Sequence, residues 1–545
     1  MATPTESEQP YLPPTNDSAN SSPEPPPAKK SLQRKWLRNL RWQAHWLLPN
    51  LIPDPYRTDR EYEREHDRKE NERIRVPLEL ELRVNVIWGV ELYGSAEVEG
   101  LYSGLEKLGW KGVAAWNEKD SVLRWVRERR SFGAWAWLNV GCVLGKERRG
   151  NAPPLIHNFT TLPPGVQSLT VCVHQITSSL TVMLVGFLLE ESLAQRYATE
   201  LNRDRTTYRR RSFRSRRSIQ SIGPENQKRE AIEVARRDLR RMVGNWFGQH
   251  IPGFFSGLKR PENFPTMELL TSQSGPIFHE PEHSPRNRFS GWRWALANVP
   301  PHETWTYKSS PGLQLSIDRF REQEEGLHIL AALDVAAYPE EGMKHYGGKT
   351  MNAFLHVCQE TLHGFLIHAS TLEYLKEQSR DINATRENLK KARSGRRSVK
   401  RSLREISQFF DRTLGSPAIA RELARESKDA GWYHHDCPSF TTPGWGDGDK
   451  PRELTEEIRG SINYLANRLI EEEVSIREHF EQVSAVLSVH ESIKAQRRME
   501  WLTVLALVVA FASLMVALLP RDKLAQDLDA FWQAGVTAFW QVAGK

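Results

Sequence analysis

His356, Glu360 and His363 fall at i, i+4 and i+7, a spacing that puts all three on one face if the segment is helical. The run Glu360-Thr-Leu-His363 has the Glu-x-x-His form by which di-iron helical bundles hold metal, a chemistry that requires a second such pair and two further carboxylates. One other copy, Glu63 to His66, lies in a charge-rich stretch. The three residues are thus either the metal ligands His356, Glu360 and His363 or an ordinary polar helix face. His434, His435, Asp436 and Cys437 form a second compact group of donor types, although adjacent histidines seldom reach one ion together.

Other motifs fall short of a reaction. "GMKHYGGKT" resembles a phosphate-binding loop, but G-x4-GK[ST] needs glycine where Met343 stands, and Glu340 and Glu341 would repel a phosphate. The chain contains no G-x-S-x-G, HExxH or GxGxxG. The residues therefore identify no catalytic set, define no cofactor, and lean away from an enzyme.

Basic residues are clustered. Eight arginines lie between Arg203 and Arg217 against the single acid Asp204. Among them Arg209, Arg210, Arg211, Arg214, Arg216 and Arg217 could contact the phosphate of an anionic lipid or of a nucleic acid, or simply form a solvated loop. Few aromatics interleave with them, which disfavours single-strand nucleic-acid binding. A second basic group runs from Lys390 to Arg404.

The element that would hold these segments in place is at the other end of the chain. From Trp501 through Leu519 there is no charge, and the only polar side chains are Thr503 and Ser513. Nineteen helical residues span about 28 Å, close to the hydrocarbon thickness of a bilayer, so Trp501, Leu502 and Leu519 belong to an expected transmembrane helix. Lys494, Arg497 and Arg498 precede it, while Arg521 and Lys523 follow with Asp522 between them, which favours a cytoplasmic N-terminal side. The N-terminus has no apolar core of a signal peptide, which points the same way.

The whole chain of 545 residues is long enough for more than one domain, and its mean hydropathy of −0.58 excludes a polytopic membrane protein. Four scattered cysteines without a CxxC pair suit a reducing compartment. The expected order is a disordered Pro/Ser-rich tail over 1–30, then a basic amphipathic and charged helical segment over 31–75. An α+β cytoplasmic domain covers 76–345, a helical arm 346–430, a loop 431–452, a stalk helix 453–500, the membrane helix 501–519 and a short amphipathic tail 520–545. Within 31–75, Leu32, Trp36, Leu40 and Ala44 recur at helical spacing opposite a basic face, a pattern that fits an anionic membrane surface or docking on the protein itself. "VPLELELRVNVIWGVELYG" alternates as a half-buried strand, "SLTVCVHQITSSLTVMLVGFLLEES" reads as two strands rather than a span, and "GWRWALANV", "LQLSIDRF" and "HILAALDVAAY" suggest further strands.

From Leu454 to Leu519 there is no proline, and the apolar seam of Ile458, Ile462, Leu465, Leu469, Ile476 and Phe480 breaks at Glu472 and Glu473, as a packed stalk or interrupted coiled coil would. In its order of domain, hairpin, stalk and membrane helix, and above all in "SIKAQRRMEWLTVLALVVA", the region Lys349 to Leu519 resembles the CorA-type divalent-cation transporters. It departs from them in ending "VALLPRDK" where that family has Gly-Met-Asn, and in lacking a second span. The resemblance implies an oligomeric stalk. Three functions follow as expectations: a single-pass, homo-oligomeric regulatory, sensing or scaffolding protein with membrane lipid and a further copy of itself as partners; an oligomeric ion channel lined by the single spans; or a membrane-tethered nucleic-acid binder.

Overall fold

The computed structural model describes residues 57–112, 121–133, 135–153, 156–211, 219–278, 291–297, 303–317, 326–338, 350–391, 416–428, 437–442 and 450–518, with scattered residues elsewhere. In chain order its main elements begin with α1 (Arg57–Arg73), β1 (Arg83–Tyr93), α2 (Val98–Leu108), α3 (Val122–Phe132), β2 (Ala136–Gly145) and β3 (Asn158–Thr160). They continue with β4 (Val166–Gln175), β5 (Thr181–Leu189), α4 (Arg196–Asn202), β6 (Tyr208–Arg211), β7 (Ile219–Ile222), α5 (Pro224–His250), β8 (Thr266–Ser272) and α6 (Trp292–Ala297). The last are β9 (Thr304–Tyr307), β10 (Leu313–Ile317), β11 (His328–Asp334), α7 (Met351–Lys391), α8 (Ser416–Lys428), β12 (Phe440–Thr442), β13 (Arg452–Glu453) and α9 (Leu454–Leu518).

Two compact units divide the chain. The smaller comprises Met1–Arg75 and Asn202–Lys228. In it α1 is fixed on one side: Asp67 accepts from the Thr207 N–H at 2.8 Å, and the Asn71 amide donates to the Arg205 carbonyl at 2.7 Å. These contacts bury Asp67 and Asn71, so the charged segment is not solvated all round. The strands β6 and β7 pair as an antiparallel hairpin, a correction to the loop expected for the arginine stretch. Of the amphipathic segment, Trp36, Leu37, Leu40, Arg41, Gln43 and Ala44 are helical, and Trp36 and Leu40 are exposed. The rest of 1–50 lies outside the described residues.

The larger unit, Val76–Leu201 with Arg229–Lys545, is built on a mixed sheet of eleven strands in the order β13-β12-β9-β10-β11-β8-β1-β5-β4-β2-β3. Most pairs are antiparallel; β8 with β11 and β2 with β3 are parallel. β1 begins at Arg83, after a short helical turn at Leu78–Leu80; it sits centrally between β5 and β8, and from Val86 it is buried on both faces because α5 and α7 cover them. The half-buried alternation expected there holds only for its first residues. β4 and β5 confirm two strands where the apolar run could have suggested a span.

Alternation along β1 separates two layers. At Gly89 a Cβ would lie 2.3 Å from Val243 and 3.0 Å from Phe247, so α5 presses directly on that face and glycine is required by contact. Trp88, one residue earlier, points to the opposite face and meets His363 of α7 edge-on, with ring centroids 6.3 Å apart. Helices thus cover both faces. "GWRWALANV" is helical over Trp292–Ala297, not a strand, because Trp292, Ala295 and Leu296 bury at i, i+3 and i+4. β8 carries no alternation by which to read it: all seven residues are buried, with Glu268 among them.

Candidate functional site

The helix α9 changes character along its 65 residues. Ile458, Ile462, Ala466, Leu469 and Ile476 are buried at intervals of three, four or seven residues, the stripe by which it packs on α7 and α8. Glu472 and Glu473, where the apolar seam breaks, are also buried. Glu472 pairs with Arg468 at 2.9 Å and Arg386 of α7 at 3.3 Å; Glu473 pairs with Arg477 at 2.6 Å and lies 3.7 Å from Arg421 of α8. The break therefore pins α9 to both neighbours through charge.

Beyond Phe480 the described side chains of α9 are exposed. The stretch Ser492–Met515 is long and apolar enough to cross a membrane, and none of it is buried against the rest of the protein. Trp501 and Leu502 are 76% and 64% exposed, while Leu519 lies outside the described residues. The Thr503 hydroxyl donates to the Met499 carbonyl at 2.8 Å and that of Ser513 to Val509 at 2.9 Å, each four residues back. Both polar groups are thus satisfied by their own helix, as hydrocarbon surroundings demand. Of the tail, only Trp532 is described.

Between the buried part of α9, α7 and the ends of β10 and β11 lies a cleft of about 860 Å³, lined among others by Glu373, Lys376, Arg380, Tyr464 and Arg468. Its charges are already committed: Arg380 and Lys376 both approach Glu373 at 3.5 Å, and Arg468 holds Glu472. The cleft mixes apolar and polar lining, and its charges are paired.

The α5 face of the sheet holds a buried charge network. Glu268 of β8 accepts from the Tyr197 hydroxyl at 2.9 and 2.8 Å, and the Nε of Arg236 approaches it at 3.8 Å. Burial raises the Glu268 carboxyl, with Arg236 and Tyr197 opposing the shift, and the same burial drives the Tyr197 phenol well above its usual range. Arg236 also pairs with Glu233 at 2.9 Å and donates to the Leu296 carbonyl. Glu268 and Arg236 are each held by polar partners, although the Arg236 Nε itself makes no hydrogen bond, so the network has the composition of a structural ion-pair cluster.

On the other face, the His356, Glu360 and His363 set divides. His356 and Glu360 are exposed and pair with each other at 3.6 Å. His363 turns inward, where Cys172 and His174 of β4 share its side of the sheet. The Cys172 Sγ and His174 Nε2 are 3.2 Å apart, the rings of His174 and His363 are 6.2 Å apart, and one donor atom of each residue lies within 4.8 Å of the others. Burial pushes the Cys172 thiol up to about 12 and His174 down to about 4, and holds His363 well below the ordinary histidine range. All three side chains are accordingly uncharged at neutral pH. Sequence reading missed Cys172 and His174; the signal was their i, i+2 spacing in "VCVHQ", which aligns two donors on one strand face.

The remaining sequence candidates are positioned as follows. Arg209, Arg210 and Arg211 lie in β6, whereas Arg214, Arg216 and Arg217 fall outside the described residues, as does most of the basic group from Lys390 to Arg404. His434, His435 and Asp436 also fall outside them. Cys437 is described, and burial pushes its thiol up to about 12. In the "GMKHYGGKT" run, the Thr350 hydroxyl accepts from the Ala353 N–H at 3.2 Å and so caps the start of α7. Comparison with protein-family models, with curated proteins and with solved structures found no match for this chain.

Proposed function

We propose that this chain is a single-pass membrane protein whose mixed α/β unit serves as a cytoplasmic sensing, regulatory or scaffolding module. The observation that carries the reading is α9 itself: one uninterrupted helix is buried in the domain at its start and exposed along its apolar end. Past Gly460, which lies in its packed start, α9 has neither proline nor glycine, so a displacement at one end of this link is transmitted to the other. Lys494, Arg497 and Arg498, just before the apolar run, favour a cytoplasmic position for the preceding domain.

The exposure of the described side chains between Glu481 and Glu500 supports the further proposal that copies associate there as an oligomeric stalk, the arrangement that the CorA-type resemblance implies. Val489 and Ile493 remain exposed on it at i, i+4, a surface that a second copy would cover.

Two measurements test this. External protease added to sealed, right-side-out vesicles should leave the α/β unit intact, and cleavage of that unit from outside would overturn the orientation. Light scattering of the detergent-solubilised full chain, beside a chain ending at Glu500, should show an oligomer of fixed size for the former. Monomers in both would eliminate the stalk and leave an anchored domain.

A further inference from the structure

We propose that Cys172, His174 and His363 hold one thiophilic d10 metal ion, with Cu⁺ favoured over Zn²⁺. The proposal goes beyond membrane anchoring and does not depend on it. Its geometry begins with β4, where the two-residue period of a strand places the Cys172 sulfur and the His174 imidazole side by side, 3.2 Å apart. The third donor comes from α7, and one donor atom from each of the three lies within 4.8 Å of the other two. Small rotations about the side-chain bonds would bring the three donors onto one ion.

A second observation points to a ligand. The Nε2 of His363 is buried without a hydrogen-bond partner, on a residue only 7% exposed. A buried nitrogen left unsatisfied costs about 1–3 kcal/mol, so native structures seldom retain one without a reason. A metal bond would remove that cost. Cys172 and His174 are 4% and 9% exposed, so the whole cluster is nearly dry.

The donor set selects the ion. One thiolate with two imidazoles and no carboxylate is unsuited to Mg²⁺ or Ca²⁺, which take oxygen ligands, and suits Zn²⁺ or Cu⁺. Charge then discriminates between those two. Loss of the thiol proton leaves one negative charge, which Cu⁺ neutralises and Zn²⁺ overcompensates, and an unbalanced charge is expensive in a dry interior. The nearest acid on the same helix face, Glu360, is exposed and engaged by His356 at 3.6 Å. Trp88, edge-on to His363 at 6.3 Å, closes one side of the cluster. It has room there because position 186 is glycine: a Cβ would stand 2.8 Å from the indole. Three donors beneath an aromatic wall match the low coordination number that Cu⁺ accepts.

The test uses the full chain in detergent under anaerobic, reducing conditions, titrated separately with Cu⁺ against a competing chelator and with Zn²⁺. The expected result is one equivalent of Cu⁺ retained, with X-ray absorption showing one sulfur and two nitrogens around the metal. Cys172→Ser and His363→Gln should each weaken retention by at least about 100-fold, more than losing a group that merely orients a ligand. Cys142→Ser should leave it unchanged, which separates this site from adventitious thiol binding. Retention undiminished in Cys172→Ser, or no stoichiometric Cu⁺ in the wild type, would overturn the proposal. Preferential retention of Zn²⁺ would overturn the choice of ion. Should either variant misfold by circular dichroism, the absorption spectrum of the wild-type protein decides, since a shell without both sulfur and nitrogen would also overturn the site.

Discussion

The two faces of the central sheet both bury polar side chains, yet they solve the problem of burial in opposite ways. On the α5 face, Glu268 is met by the Tyr197 hydroxyl and the Arg236 guanidinium, and Arg236 in turn by Glu233 and a backbone carbonyl. On the α7 face, Cys172, His174 and His363 are uncharged, and the Nε2 of His363 has no partner. A network whose charges are paired stabilises a fold and has little left for a ligand, even though the Arg236 Nε makes no hydrogen bond of its own. A cluster in which one good donor, the His363 Nε2, is left unanswered beside the Cys172–His174 pair is where a ligand can still gain free energy.

Breaking the first face should therefore have the largest effect on stability. Glu268→Leu strands the Arg236 charge and the Tyr197 hydroxyl, and removing one member of a buried pair costs about 3–5 kcal/mol. The value expected here is near the lower end, about 3 kcal/mol, because Glu233 still holds Arg236. Urea denaturation of the full chain in detergent would show it as a lowered midpoint. Adding Arg236→Met should recover much of the loss, and failure to recover would mean that the two side chains act independently.

Glu91, also toward α5, sharpens the same point through pH. Its carboxylate accepts the backbone N–H groups of Phe255 and Ser256 at 2.7 and 2.9 Å, yet burial pushes it up from 4.5 to about 7. The native state thus holds a proton that the unfolded chain releases above pH 4.5. Its contribution to stability is fully present below that pH, falls as pH rises toward 7 and is gone above it. The shift corresponds to up to about 3 kcal/mol. Stability measured from pH 4.5 to 8 should carry this slope, and Glu91→Gln should flatten it; an unchanged slope would assign it to other groups.

Legibility in the sequence followed how local the signal was. The apolar run of α9 and the paired strands β4 and β5 were readable because period and length are properties of consecutive residues. β8 was not, since a central strand buried on both faces loses its alternation and Glu268 interrupts the apolar pattern. "GWRWALANV" misled because its tryptophans fit a strand while its burial follows the helix period. The site was legible by half: His363 stood out beside Glu360, but its neighbours Cys172 and His174 are nearly two hundred residues away, joined to it only by the packing of α7 on the sheet.

The smallest effect on stability is the one that separates the faces most cleanly. His363→Leu removes a side chain whose Nε2 makes no hydrogen bond and supplies apolar volume to a dry site, so the metal-free protein should change by less than about 1.5 kcal/mol. This contrasts with Glu268→Leu, though both remove a buried polar group from one sheet. With Cu⁺ buffered at 100 times its dissociation constant, the wild type should gain about 2.7 kcal/mol and the variant nothing, because only a native state that binds the ion is stabilised by it. A large loss in the metal-free His363→Leu protein would show that the imidazole is held by its surroundings as firmly as Glu268 is, and the two faces would then be alike.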